Sequence, residues 1–439
     1  MSKPINVALL GFGTVGSGTA KILLEQEELL EKRAGCPVRL KWICDKDLES
    51  DRGFPVPQGI LTDDLDMVMD DPDVHILIEL IGGIEPARTF VLDAIGRGKH
   101  VVTANKALLS VHGHEIFKAA ADQGVVVGFE ASVAGGIPVI KAVREGLVAN
   151  NIQTVLGILN GTANYILTRM TDEGMPFDQV LADAQAKGYA EADPTYDVEG
   201  IDTAHKLAIM STLSFGVPVR LEDIYTEGIS RLSPLDIAFA REFGYNIKLL
   251  AIGRMNHKGL SLRIHPTMVP SRHLLAQVGG AYNACYIVGD SVGKIMLYGM
   301  GAGQMPTGSA VVADVVDIAR DISMGSVGRV PSFGIPVDSL EPPMFMSMDD
   351  LRGCYYFRFS VKDRPGVLAR IAGILGENNI SINSCVQKGR GGQEGPVPIV
   401  MLTHEAVEAD VQKAMKEIDQ MDVVLDKTMI IRIEELDAL

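Results

Sequence analysis

Five carboxylates, Glu191, Asp193, Asp197, Glu199 and Asp202, fall within twelve positions of the run GYAEADPTYDVEGIDTAHK (188–206), and Lys206 closes it. A solvated acidic loop needs neither that lysine nor the turn residues Pro194 and Gly200. A site that holds a charged small molecule and passes it a proton needs all of them. Asp202 and Lys206 stand four apart at the start of a helix expected to run to about Leu213, so they share a face. That face continues through the apolar Ile209 and Leu213, as a pocket wall would. Taken alone the pair reads as an exposed ion pair worth about 0.3–0.5 kcal/mol. Beside a hydride-carrying cofactor it reads as a proton donor, with a partly buried lysine oriented by a carboxylate. Glu191 and Asp197 add negative charge suited to an α-ammonium group, and Asp193 and Glu199 are expected to be solvated loop residues.

A second set of residues points to that cofactor. Gly11, Gly13 and Gly16 form GxGxxG directly after the apolar run INVALL and at the mouth of a helix. The first glycine permits a tight turn, the second admits a pyrophosphate to the backbone, and the third lets helix pack on strand. The helix N-terminus offers unpaired N–H groups to the phosphates. Asp45, after KWIC, ends the second strand, where a carboxylate would bind the ribose hydroxyls of NAD and repel the 2′-phosphate of NADP. Lys46 partly offsets that repulsion. Thr103-Ala104-Asn105-Lys106 follows the strand HVV, so Thr103 and Lys106 should lie in the crevice where open α/β sheets bind ligands. EASVAGGIP, Glu130 to Pro138, has a Gly-Gly turn whose carbonyls suit a monovalent cation, or it is a plain strand-to-helix turn.

These residues need a scaffold, and the first 130 or so positions supply one. INVALL, VRLKWICD, VHILIEL, KHVVTA and VVVGFE are short apolar runs separated by helical stretches, among them Thr14 to Lys32 and Ala87 to Gly96. Such alternation predicts a doubly wound parallel sheet. Helices dominate from about 150 to 250, after a VLGIL strand. LLAIGRM, LSLRIHPTMV and ACYIVGD read as strands, and GMGAGQMPTG leads into a helix Ser309 to Asp321. Prolines 331, 336, 342 and 343 mark a linker. Beyond it, strand, helix, two strands, helix and strand give βαββαβ, the ferredoxin-like order.

The formal charge of −16 argues against nucleic acid as a partner. No apolar run approaches the roughly 20 residues that span a bilayer. With no secretory signal and five cysteines in no CxxC pairing, a cytoplasmic location is expected. Nine histidines without i, i+4 pairs make a zinc site unexpected.

GFGTVG, TANKA, EASVAGGIP, LNGTANYIL, GYAEADPTYDVEGIDTAHK and GAGQMPTGSAVVAD, in this order, make the chain resemble the bacterial monofunctional homoserine dehydrogenases that carry a C-terminal ACT domain. The resemblance covers nearly the whole length. It implies an α/β protein in three parts: a Rossmann NAD(P)-binding domain (1–130 and 305–330), an α+β catalytic and dimerisation domain (131–304), and, after a linker (331–350), an ACT domain (351–439).

The activity implied is NAD- or NADP-dependent interconversion of L-homoserine and L-aspartate 4-semialdehyde, on the route to threonine, methionine and isoleucine. Lys206 would be the proton donor, with Lys106 and Asp202 beside it. Glu191 and Asp202 would hold homoserine, Asp197 would line the same pocket, and Asn160 and Thr162 would shape the substrate side. Phe12, Gly13, Thr14 and Val15 would lie along the pyrophosphate, with Gly188 and Gly303 near the nicotinamide. Glu130, Val133, Gly135 and Ile137 match the positions that bind sodium. Cys44 stands where some NADP-preferring members have arginine, which agrees with the Asp45 reading. Gly308 replaces a residue that is often alanine. DRPGVLA (Asp363 to Ala369) matches the ligand loop of ACT domains, which pair side by side, so threonine feedback and a homodimer or homotetramer are implied. A non-catalytic amino-acid sensor is the other reading, and an intact Lys106, Lys206 and Asp202 weigh against it. An aspartate-semialdehyde dehydrogenase would need a nucleophilic cysteine, and no cysteine here sits in such a context.

Overall fold

The computed structural model describes residues 3–388 and 396–436 and divides into two units. The first comprises residues 1–161, 202–224 and 282–343, and the second 162–201, 225–281 and 344–439.

The first unit is built on six parallel strands, β1 (Ile5–Leu10), β2 (Val38–Cys44), β3 (Leu61–Thr62), β4 (Val74–Glu79), β5 (His100–Thr103) and β6 (Val127–Gly128). Their spatial order is β3-β2-β1-β4-β5-β6, every neighbouring pair parallel. The sheet is doubly wound, and the strand order reverses between β1 and β4, where a crevice opens at the carboxyl ends. The strands read as continuous apolar runs because helices cover both faces: Val7, Leu9, Ile43, Ile76, Ile78 and Val102 are buried in one core.

Three details depart from the sequence reading. The first helix is two, Thr14–Glu25 and Glu27–Ala34, because Gln26 leaves helical geometry at φ −114°, ψ 25°. The helix expected from Ser309 begins at Gln304 and runs to Met324. Its Pro306 is tolerated because the first-turn N–H groups have no intrahelical partner to lose. This long helix packs on Thr14–Glu25 at glycine contacts: a Cβ on Gly308 would stand 2.8 Å from the backbone of Gly18 and Thr19. Alanine there would force the helices apart. Finally, Gly293–Met300 is an unanticipated strand, pairing antiparallel with Tyr282–Gly289, which in turn pairs with Ile152–Ile158.

The second unit joins a long hairpin, Tyr245–Asn256 with Gly259–Pro270, to the expected βαββαβ module. That module comprises the strands Arg352–Val361, Ile382–Gln387, Val397–Thr403 and Met429–Ile433 with the helices Val367–Glu377 and Glu408–Ile418. Its last strand pairs antiparallel with Arg352–Val361 and parallel with Gly259–Pro270, through Thr267↔Arg432 and Met268↔Ile433. Tyr355, Phe357, Phe359, Ile371, Ile399, Val411 and Ile418 form its core.

Buried charges cross this second unit in pairs. Arg432 donates to Glu408 at 2.5 and 2.9 Å and to Glu227 at 2.9 Å. Glu434 accepts from Arg263 at 2.5 Å and from Arg254 at 2.7 Å. His265, fully buried, bonds through Nδ1 with Thr267 Oγ1 at 2.9 Å. Burial and the nearby arginines hold its imidazole well below the ordinary value of 6.5.

Candidate active site

The Lys106 helix is set by a chain of buried polar contacts at the end of the parallel sheet. Glu79, the last residue of β4, accepts from the Thr103 hydroxyl at 2.7 Å and from the Ile81 and Gly82 N–H groups at 2.9 and 3.1 Å. Thr103 Oγ1 accepts from Asn105 N at 2.9 Å, and Asn105 Oδ1 caps the helix Lys106–Gln123 by accepting from Leu108 N at 3.1 Å. An N-cap of this kind contributes about 1 kcal/mol and fixes the first turn. Lys106 is therefore the first helical residue, held by the same polar groups that end the sheet.

From that position Lys106 Nζ lies 3.2 Å from Asp202 Oδ1. The other carboxylate oxygen accepts from Lys206 Nζ at 2.7 Å and from Asn160 Nδ2 at 2.8 Å. Lys206 Nζ also donates to the Leu159 carbonyl at 2.6 Å, and that carbonyl accepts from Asn283 Nδ2 at 3.0 Å. Asp202 is only 4% exposed. Burial alone would raise its pKa, but the charges of Lys206 and Lys106 outweigh that and hold the carboxyl at about 2. The result is a carboxylate, ionised at any physiological pH, that answers two ammonium groups. Adjacent to Lys206 in sequence, His205 faces elsewhere: its Nδ1 lies 2.5 Å from Ser110 Oγ, tying this helix to Lys106–Gln123. Cys285 is buried, and burial pushes its thiol up to about 12, which makes it no nucleophile.

The glycine loop fits a dinucleotide. Gly11 has φ +95°, and a Cβ there would lie 2.7 Å from the Leu80 backbone. Gly16 abuts the Gly11 carbonyl, whereas nothing lies within 4 Å of a Cβ placed on Gly13, which leaves the open approach that a pyrophosphate requires. Phe12, Thr14 and Val15 flank it at the helix N-terminus. Asp45 sits where expected at the end of β2, but its carboxylate also serves the loop, accepting from Phe12 N at 2.5 Å and from Asp47 N at 2.8 Å. Gly303, at φ +129°, starts the helix Gln304–Met324.

Glu130 lies in a 3-10 turn, Glu130–Ser132, and its carboxylate accepts from the Ile140 and Lys141 N–H groups, both at 2.8 Å. Burial raises the Glu130 pKa. Val133 and Ile137 are buried around a left-handed pair, Ala134 at φ 55° and Gly135 at φ 54°.

Five further positions belong to the second unit. Gly188, at φ 75°, ends the helix Phe177–Ala186 by donating to the Gln185 carbonyl at 3.0 Å. Glu191 is exposed, and its backbone carbonyl accepts from Gln185 Nε2 at 3.0 Å. Asp197 is half-buried in the short helix Thr195–Val198. Thr162 Oγ1 donates to the Tyr189 carbonyl at 2.7 Å. Asp193 caps a turn by accepting from Thr195 N at 3.1 Å, a local structural task.

Residues 138–316 match the family described as "Homoserine dehydrogenase", residues 11–130 "Homoserine dehydrogenase, NAD binding domain", and residues 355–422 "ACT domain". The chain is 45% identical over 437 residues to a homoserine dehydrogenase of Pseudomonas aeruginosa, covering 99% of this chain and 100% of that protein. The crystal structure of a homoserine dehydrogenase from Thiobacillus denitrificans aligns at TM-score 0.92 and 49% identity, covering 99% of each chain. A hyperthermophilic archaeal homoserine dehydrogenase in complex with NADPH aligns at TM-score 0.62 and 25% identity over 72% of this chain and 97% of that one.

Proposed function

The chain belongs to the homoserine dehydrogenase family of NAD(P)-dependent oxidoreductases, and on that premise we propose which of its residues carry the interconversion of L-homoserine and L-aspartate 4-semialdehyde. The nicotinamide, when bound, supplies or accepts the hydride. Lys206 gives a proton to the aldehyde oxygen as it is reduced and takes it back in the reverse direction. Asp202 orients Lys206 and, through its second oxygen, Lys106. The observation that carries this reading is the single buried carboxylate shared by two ammonium groups, at 2.7 and 3.2 Å. One positive charge is left to meet the oxygen that becomes negative.

Thr103 and Lys106 serve the cofactor side, with Gly11 to Gly16 on the pyrophosphate and Gly188 and Gly303 towards the nicotinamide. Asp45 favours NAD over NADP through its charge. Glu191 and Asp197 are taken as homoserine ligands on sequence resemblance. Glu130, Val133, Gly135 and Ile137 form a sodium site, supported by the tight left-handed turn at Ala134 and Gly135. The three domains proposed from the resemblance, 1–130 with 305–330, 131–304 and 351–439, cut across the two compact units of the fold. The ACT module responds to threonine and pairs chains into a homodimer or homotetramer, in the cytoplasm, serving threonine, methionine and isoleucine formation.

Following NADH and NADPH oxidation with aspartate semialdehyde tests this. Lys206→Ala should lower kcat by roughly 10²–10⁴-fold, the usual span for a proton donor. Near-full turnover in the variant overturns the assignment of the donor, and no turnover by the wild type overturns the activity. Added threonine should slow the wild type, and unchanged rates at millimolar levels would remove the feedback proposal.

A further inference from the structure

A cavity of about 560 Å³ in the second unit has no part in the chemistry above. Its walls come from the helix Glu408–Ile418, the turn that follows it, the strand Met429–Ile433 and the segment 225–231. It lies away from the DRPGVLA loop, none of whose residues line it. Four cationic side chains line the cavity, Arg231, Lys416, Lys427 and Arg432, against two carboxylates, Glu227 and Asp419. This surplus stands out in a chain whose formal charge is −16.

The four cations are not equivalent. Arg432 is buried and spent on Glu408 and Glu227. Asp419 is spent on Thr428, accepting from its N–H at 3.0 Å and its hydroxyl at 2.6 Å. Arg231 reaches only the Thr428 carbonyl, at 3.5 Å, and Lys416 and Lys427 form no ion pair among the described residues. Three uncommitted cations therefore surround a space large enough for a small metabolite, which typical ligand pockets of about 300–1,000 Å³ match. Met415 and Ile430 give the same space an apolar wall, so a ligand with a carbon body fits better than a bare ion.

The geometry points to a binding site for a small organic polyanion, carrying carboxylate or phosphate groups, held by Arg231, Lys416 and Lys427. Charge-assisted bonds to such groups are the strong ones, and a guanidinium can clasp either group with two of them. A bound anion would tie the segment 225–231 to the helix Glu408–Ile418, which Arg432 already bridges from beneath.

The test is calorimetric titration of the full chain, saturated with NADH so that the glycine loop is filled, at constant ionic strength. Citrate probes the carboxylate source, and inorganic phosphate the phosphate source. Saturable binding of either one is expected, at least about tenfold weaker in Arg231→Ala/Lys416→Ala/Lys427→Ala and unchanged in Lys258→Gln, an exposed lysine of the same unit. Thermal unfolding of the triple variant should match the wild type without anion, which shows it folded. Absence of saturable binding by both probes overturns the site, as does equal binding by the triple variant. Either failure leaves the roles of Lys206 and Asp202 standing, because turnover is read separately.

Discussion

Asp202 in the first unit answers two ammonium groups, Lys106 and Lys206, whereas in the second unit Arg254, Arg263 and Arg432 meet Glu227, Glu408 and Glu434, three against three. Both clusters are largely out of water, where an unmatched charge is costly. The balanced cluster uses bidentate contacts, such as Arg432 to both oxygens of Glu408, and leaves no net charge over. The unbalanced one keeps a net positive charge. A protein that leaves charge unanswered where burial makes it expensive is holding it for something that arrives later. The same contrast separates a scaffold from a site.

The comparison breaks most visibly at Asp202. Asp202→Asn keeps the shape but removes the charge, and turnover should fall about 10³-fold, or about 4 kcal/mol, with a smaller loss of stability, about 2 kcal/mol. Steady-state rates beside chemical denaturation decide it, and a variant that unfolds easily but turns over normally would make Asp202 a structural residue. Arg432→Met should do the reverse, costing about 3 kcal/mol by stranding the buried Glu408 carboxylate while the folded enzyme keeps kcat within about twofold. A selective loss of kcat would end the division between the clusters.

The smallest effect sharpens it. His265 lies among these arginines with its folded pKa well below 6.5, so the unfolded chain binds the proton more readily. Its stabilising share is present above about pH 6.5 and lost as pH falls below that, at about 1.4 kcal/mol per pH unit. His265→Gln should flatten that part of the profile relative to wild type, and superimposable slopes between the two would show that His265 is not held neutral.

Much of this architecture is legible in the chain because its signals are local. The apolar runs of β1, β2, β4 and β5, the helix Ala87–Gly96 and the ferredoxin-like order all follow from periodicity and breakers within a dozen residues. So does the i, i+4 pairing of Asp202 and Lys206. What periodicity cannot carry is contact between distant segments. Nothing local links Glu79 to Thr103, Ser110 to His205, or Asn283 to Leu159. A carboxylate ending an apolar strand, as Glu79 does, was the one available hint. Gly293–Met300 escaped because its glycines and half-exposed faces mask the alternation of a strand. The double duty of Asp45 escaped because its position predicts a ribose ligand equally well whether or not it also clasps the Phe12 N–H.

The parallel pairing of Met429–Ile433 with Gly259–Pro270 constrains anyone who would shorten this protein. A chain cut before residue 351 would lose that partner strand and, with it, the Glu434 carboxylate that neutralises the buried Arg263. It would present a bare ribbon of N–H and C=O groups around Thr267 and Met268, an invitation to recruit strands from other molecules. A soluble truncation would need that border re-covered, by a proline or a lysine placed on it, before its kinetics could be compared with those of the full chain.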